Sequence, residues 1–114
     1  MKNRFDELKV DGELLLLRLN ALANRHRLRI IGILQVGGRQ YISQLARDVG
    51  ISRPLLHLHL KKLEAAGLVS SSLELSGDGK ALNFFAVTDF AVALDARAIA
   101  LALPTLAASD PKTD

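Results

Sequence analysis

The feature that most constrains this chain is the twenty-residue run from Gly50 to Val69. Gly50 lacks a Cβ and so suits the left-handed close of a helix. Ile51 crosses the turn. Ser52 can cap the next helix by accepting from the backbone N–H groups of its first turn. Pro54 stands in that first turn, where its missing N–H costs nothing. Leu56, Leu60 and Leu63 follow at i, i+4 and i+7 and face one way, toward a core. Gly67 stops the helix after Ala66. Two short helices joined by Val49-Gly50-Ile51-Ser52 make a helix-turn-helix unit, around which a chain of 114 residues must pack.

The flanking sequence supplies the rest. Upstream, Ser43 reads as the cap of a short helix ending at Val49, and residues 39–42 allow only a short strand. Asn24 reads as the cap of a helix to about Gln35, with Leu28, Ile31 and Leu34 as its core stripe and Gly37-Gly38 as its end. A first helix from about Arg4 to Ala23 carries Phe5, Leu8, Leu15, Leu19 and Leu22 at helical spacing, and Gly12 can divide it. Downstream the period changes. Leu68 to Leu75 reads as a strand, residues 76–80 as a turn, and Ala81 to Val87 as the returning strand. Phe90, Val92 and Leu94 alternate with alanines. They fit a third strand, or a helix capped by Thr88. Asp95 caps a last helix that Pro104 ends or kinks, and residues from Ala108 on read as a tail. The expectation is a mainly α fold with a small β-hairpin wing, in the order α-α-(β)-α-α-β-β-α. It forms one winged helix-turn-helix domain over 1–108, with dimerisation helices at both ends and a flexible tail at 109–114.

Composition narrows the function. With 49% hydrophobic residues the chain can build a core, and with no Cys it has neither disulfides nor thiolate metal sites. Its apolar runs are too short to span a bilayer, and the charged opening Met1-Lys2-Asn3-Arg4 is no signal peptide. The expected setting is the cytoplasm, with no membrane partner. Charge is uneven: residues 1–70 hold 12 Lys/Arg against 6 Asp/Glu, and residues 71–114 hold 3 against 6. A basic N-terminal part suits a polyanion, or is simply a solvated surface.

The helix after Ser52 has what docking to DNA needs. At about 100° per residue, Pro54, His57, Leu58 and Lys61 point away from its leucine stripe. An α-helix fits the major groove. Arg53 at the entrance can pair with guanine or phosphate, and Lys61 and Lys62 suit phosphates. Gln44 and Ser52 before the helix, and Lys80 at the hairpin tip, complete the expected DNA-binding set. The hairpin is poor in cations, so its contact is expected to be weak.

Two stretches carry a resemblance. Residues 22–31, Leu-Ala-Asn-Arg-His-Arg-Leu-Arg-Ile-Ile, and the run from Gly50 to Val69 resemble the second helix and the recognition helix of the ArsR-type winged-helix repressors. His59-Leu60, Leu63 and Ala66-Gly67-Leu68-Val69 match the family pattern, and the likeness covers roughly Leu22 to Val87. It implies a dimeric DNA-binding regulator. Metal-sensing members carry Cys pairs, or Asp/His sets on the last helix. This chain has no Cys and no His beyond His59, which implies a non-metal-sensing member. Pro54 and His57 stand where many members have small hydroxyl residues, so the operator sequence does not carry over.

Simpler readings compete with each feature. His57 and His59 lie about 200° apart on a helix and cannot share one ion. His59 borders the leucine stripe and reads as structural. His26, among Arg25, Arg27 and Arg29, is a phosphate contact or an ordinary helix start, and Arg27 can brace the domain through an internal ion pair. Gly77-Asp78-Gly79 lacks the further residues of a calcium or phosphate loop and reads as a hairpin tip. No nucleophile–base set appears, so neither an enzyme nor a cofactor is expected. The function read here is a transcriptional regulator, a repressor, binding a palindromic operator in double-stranded DNA as a homodimer. Its effector is unknown. The rival is a winged helix used for protein–protein contact. Leu14 to Leu17 give the first helix more apolar surface than one side of a small core covers. Leu15, Leu16, Leu19, Ile99 and Leu103 are the expected dimer contacts. Alternatively, the two end helices pack only on each other and on the helix from Asn24.

Overall fold

The structure, a computed structural model, describes residues 11–109. Helix α1 spans Gly12–Leu22, α2 Arg25–Gly37, α3 Ile42–Val49, α4 Arg53–Ala65 and α5 Ala96–Ala102, the last running into a 3-10 turn at Leu103–Thr105. Strands β1 (Gln40–Tyr41), β2 (Val69–Leu75) and β3 (Ala81–Val87) form one antiparallel sheet in the order β1-β3-β2. This is the winged helix-turn-helix order expected from the sequence.

Local chemistry explains most boundaries. Asn24 Oδ1 accepts from the N–H groups of His26 and Arg27, fixing the start of α2. Ser52 Oγ accepts from Leu55 N at the start of α4, and Asp95 from Ala98 N at the start of α5. Gly50 between α3 and α4 sits at φ +81°, the left-handed region that a side chain would strain. Residues 69–75 pair with 81–87 in continuous register from Val69↔Val87 to Leu75↔Ala81. The core lies where α2, α3, α4 and the root of the sheet meet. Ile30, Leu34, Leu45, Val49, Leu56, Leu60, Leu63, Leu68 and Phe85 are buried there.

Helix α1 begins at Gly12, capped by Asp11, at the division that glycine allowed; Phe5, Leu8 and the expected start near Arg4 lie outside the described residues. The structure corrects three local expectations. The core row of α2 is Arg27, Ile30 and Leu34, one step from the expected stripe. Ile31 is half-buried against the core, and Leu28 turns to solvent because the guanidinium of Arg27 finds enough partners to go inside. Strand β1 runs straight into α3, so the residue before that helix is Tyr41, without a side-chain cap, and not Ser43. Residues 88–95 form neither the third strand nor a helix. The Thr88 hydroxyl donates to Gly67 O at 2.8 Å instead of capping, and Phe90 folds back against the core. The third strand of the sheet is β1.

Candidate nucleic-acid interface

Helix α4 has two faces of different character. Leu56, His59, Leu60 and Leu63 are buried, while Arg53, Pro54, His57, Leu58, Lys61 and Lys62 are exposed. The outward row therefore brings together six of the residues expected to meet DNA. Leu58, 61% exposed, sits among the cationic groups. Of the remaining three, Gln44 is half-buried on α3, Ser52 uses its hydroxyl to cap α4, and Lys80 lies at the wing tip.

Behind α4 stands a network that the sequence reading did not assemble. Arg27 is only 8% exposed. Its Nε donates to Ala21 O at 2.5 Å and its Nη2 to Asn20 O at 3.2 Å, both carbonyls of the last turn of α1. Its Nη1 lies 3.1 Å from His59 Nδ1. Arg27 thus does brace the fold, but through carbonyls and an imidazole rather than the expected ion pair. His59 is structural, as its place beside the leucine stripe implied. Burial, then the charges of Arg27, His26 and Lys62, hold its pKa below the ordinary 6.5. The His26 ring tilts over it with centroids 5.4 Å apart.

Two further arginines work the same way. Arg29 Nη1 donates to Val49 O at 2.5 Å, at the end of α3. Arg18 Nε donates to Ala66 O at 3.4 Å, just past α4. Helix C-termini leave carbonyls without intrahelical partners and carry partial negative charge, and a guanidinium satisfies both. Part of the basic excess of the N-terminal region is therefore turned inward. Periodicity gave no hint of this, because the Arg29 and Arg18 pairings join residues 20 and 48 apart.

The wing is braced along its strands and tied at its tip. Arg39, beside β1, pairs with Glu74 of β2 and stacks 4.6 Å over the Phe84 ring. At the tip, Asp78 accepts from the Ser76 hydroxyl and from Lys80 N, and these bonds hold its pKa below the usual carboxylate value. An anion thus stands beside the one wing-tip cation that sequence proposed for DNA.

At the chain ends, α1 and α5 clasp each other. Gly12 N donates to Thr105 Oγ1 at 2.6 Å and Ala107 N to Glu13 Oε2 at 3.1 Å. A Cβ on Gly12 would lie 2.5 Å from both Ala102 O and Leu106 Cγ, so only glycine allows this approach. The packing still leaves Leu16 and Ile99 each 47% exposed and Leu103 67% exposed, while Leu15 and Leu19 are half-buried. Among the described residues no three Asp, Glu, His or Cys side chains are grouped to hold a metal ion, and no helix is long and apolar enough to cross a membrane.

Known proteins resemble this architecture and sequence. The family model for bacterial regulatory proteins of the arsR family matches residues 24–71, from the cap of α2 into β2. A helix-turn-helix transcriptional regulator of Methanocaldococcus jannaschii, itself uncharacterized, is 37% identical over 75 residues, covering 66% of this chain and 77% of that protein. The crystal structure of NolR from Sinorhizobium fredii superposes with a TM-score of 0.57 at 31% identity, covering 68% of this chain and 72% of NolR. The transcriptional repressor BigR from Xylella fastidiosa shares the fold with a TM-score of 0.56 at 22% identity, over 82% and 83% of the two chains.

Proposed function

The chain belongs to the arsR family of DNA-binding bacterial regulatory proteins, and from that premise we propose that it represses transcription in the cytoplasm as a homodimer on a palindromic operator. The observation that carries the reading is the outward row of α4. Six exposed residues, three of them fixed cations, stand on a helix whose opposite face is locked into the core. A rigid helix of this kind fits the major groove. Arg53 and His57 reach base edges, Pro54 and Leu58 meet the groove wall, and Lys61 and Lys62 meet phosphates. Gln44 approaches from α3, the Arg53 N–H beside Ser52 favours a phosphate, and Lys80 adds a weak contact from the wing.

The second half of the reading rests on the clasped end helices. Leu16, Ile99 and Leu103 remain in solvent after α1 and α5 have packed together, so mutual packing does not account for all their apolar surface. A two-fold copy, also drawing on Leu15 and Leu19, covers that face and sets two α4 helices in successive major grooves. Half-sites then stand about 10 bp apart, or a multiple of it. BigR, which shares the fold, is a transcriptional repressor.

The test is selection of duplexes from a random pool, followed by footprinting. The expected result is an inverted repeat bound as a dimer. His57→Ala should weaken the selected duplex by about 1–3 kcal/mol and relax one position per half-site, whereas Lys62→Ala should weaken all duplexes alike. Failure to enrich any sequence sinks the reading.

A further inference from the structure

The contact between Arg27 and His59 has a consequence for DNA reading, and it rests on α4 being the element that enters DNA. Arginine has five N–H donors, no acceptor, and a charge it does not lose. At 3.1 Å from Arg27 Nη1, His59 Nδ1 can take part only as the bare, accepting nitrogen. An imidazolium carries hydrogen on both nitrogens, so protonation replaces this hydrogen bond with two cations in contact. Among the described residues no acidic group acts on His59 to offset that repulsion. The charged and titratable groups facing His59 are Arg27 and His26 from α2 and Lys62 from α4 itself, all basic. From α1 come the Asn20 and Ala21 carbonyls, which Arg27 already occupies, and Arg18, which is engaged at Ala66 O.

The position of His59 gives this contact its leverage. It lies on the inner face of α4, two residues from His57 and two from Lys61 on the outer face. A rotation of α4 about its axis moves both outward side chains relative to the base edges. Arg27, anchored to the end of α1 by two bonds, is the fixed point against which that rotation is set. We propose that Arg27 and neutral His59 are a positioning pair for operator reading: their hydrogen bond sets the rotation of α4, and a proton on His59 releases it and weakens sequence-specific binding.

The direction separates this from ordinary electrostatics. Positive charge added to the surface as pH falls tightens binding to any duplex. The positioning pair acts the other way, and on the specific complex alone. Because the folded state lowers the His59 pKa, the pair stays intact at the ordinary 6.5 and is lost only as pH falls through the lower, folded value. One linked proton changes affinity by up to about tenfold per pH unit below that value.

The experiment measures affinity for a duplex selected from a random pool and for an unrelated duplex, at constant ionic strength, from about pH 7.5 to about pH 5.5. Three proteins are compared: the parent chain, His59→Asn, whose Oδ1 can accept from Arg27 without titrating, and His59→Leu, which has no acceptor. The parent chain should lose specific affinity on acidification, by up to about tenfold, while binding to the unrelated duplex holds or rises. His59→Asn should flatten the specific profile and recover more affinity than His59→Leu. Superimposable profiles for the parent chain and His59→Asn would overturn the proposal. So would a rise in specific affinity parallel to the unrelated duplex. If no duplex is selected at neutral pH, the proposed function fails instead. Nitrogen chemical shifts then still test the contact: a proton on His59 Nδ1 at neutral pH refutes it.

Discussion

Helix α4 and the clasped pair of α1 and α5 both show large apolar side chains to water, but in opposite surroundings. On α4, Leu58 is flanked by His57, Lys61 and Lys62, and the helix end behind them is satisfied by arginine–carbonyl bonds. On the end helices, Leu14, Leu16 and Leu17 are three exposed leucines between Glu13 and Arg18, and Ile99, Leu101 and Leu103 follow the single cation Arg97. Exposure alone therefore identifies no partner. A leucine among cations can lie against a polyanion. A leucine field with few charges gains only by burial against another apolar surface. In the proposed function the first surface meets a groove in DNA, and the second meets its own copy.

The comparison breaks most sharply at the dimer face. Leu16→Glu combined with Ile99→Glu should give a monomer by sedimentation. Operator affinity should fall on the order of 100-fold or more as the two half-sites become independent, with little change in melting temperature. A dimer that persists with full affinity removes the second surface from the account. Next comes the contrast between the two faces of α4. Leu60→Ala on the buried face should lower unfolding stability by about 2–5 kcal/mol in urea, and Leu58→Ala on the exposed face by less than about 0.5 kcal/mol. Comparable losses would mean that Leu58 is not an outward residue.

The sequence made α4 legible because three local signals agree there: a capping serine, a leucine row at 3.6-residue spacing, and a glycine stop. The outward residues followed from that spacing by counting. Helix α2 was legible in extent but not in rotation. A periodicity argument ranks Leu28 above Arg27 for burial, and it has no access to the two carbonyls that make a buried guanidinium stable. Residues 88–95 misled for a similar reason. Alternation at Phe90, Val92 and Leu94 mimics a strand, yet both edges of β3, the strand it follows, are already held by β2 and β1. The Arg39–Glu74 pair joins residues 35 apart, and only the sheet register brings them together.

A smaller effect concerns stability and pH. The parent chain should lose unfolding stability as pH falls below about 6.5, because the unfolded chain takes up a proton on His59 before the folded one does. His59→Asn should lose less over the same range. Equal slopes in urea titrations would show that His59 carries none of this dependence. Smallest of all is the wing. Lys80→Ala should change operator affinity by less than about 0.5 kcal/mol, since Asp78 beside it already opposes a phosphate. A larger loss would make the wing a second reading element equal to α4.

The clasp between the chain ends also governs when the protein can act. Its bonds close loops of 93 and 94 residues, whereas the helix-turn-helix forms from contacts between near neighbours. Contacts across long loops form more slowly than local ones. During synthesis α5 follows α2, α3, α4 and the hairpin, which are by then available to fold. Until it reaches Gly12, the half of the apolar face that carries Ile99 and Leu103 is missing. In the proposed dimer, pairing of two copies therefore waits for this closure, and a chain without it would present a single α4 with no mate.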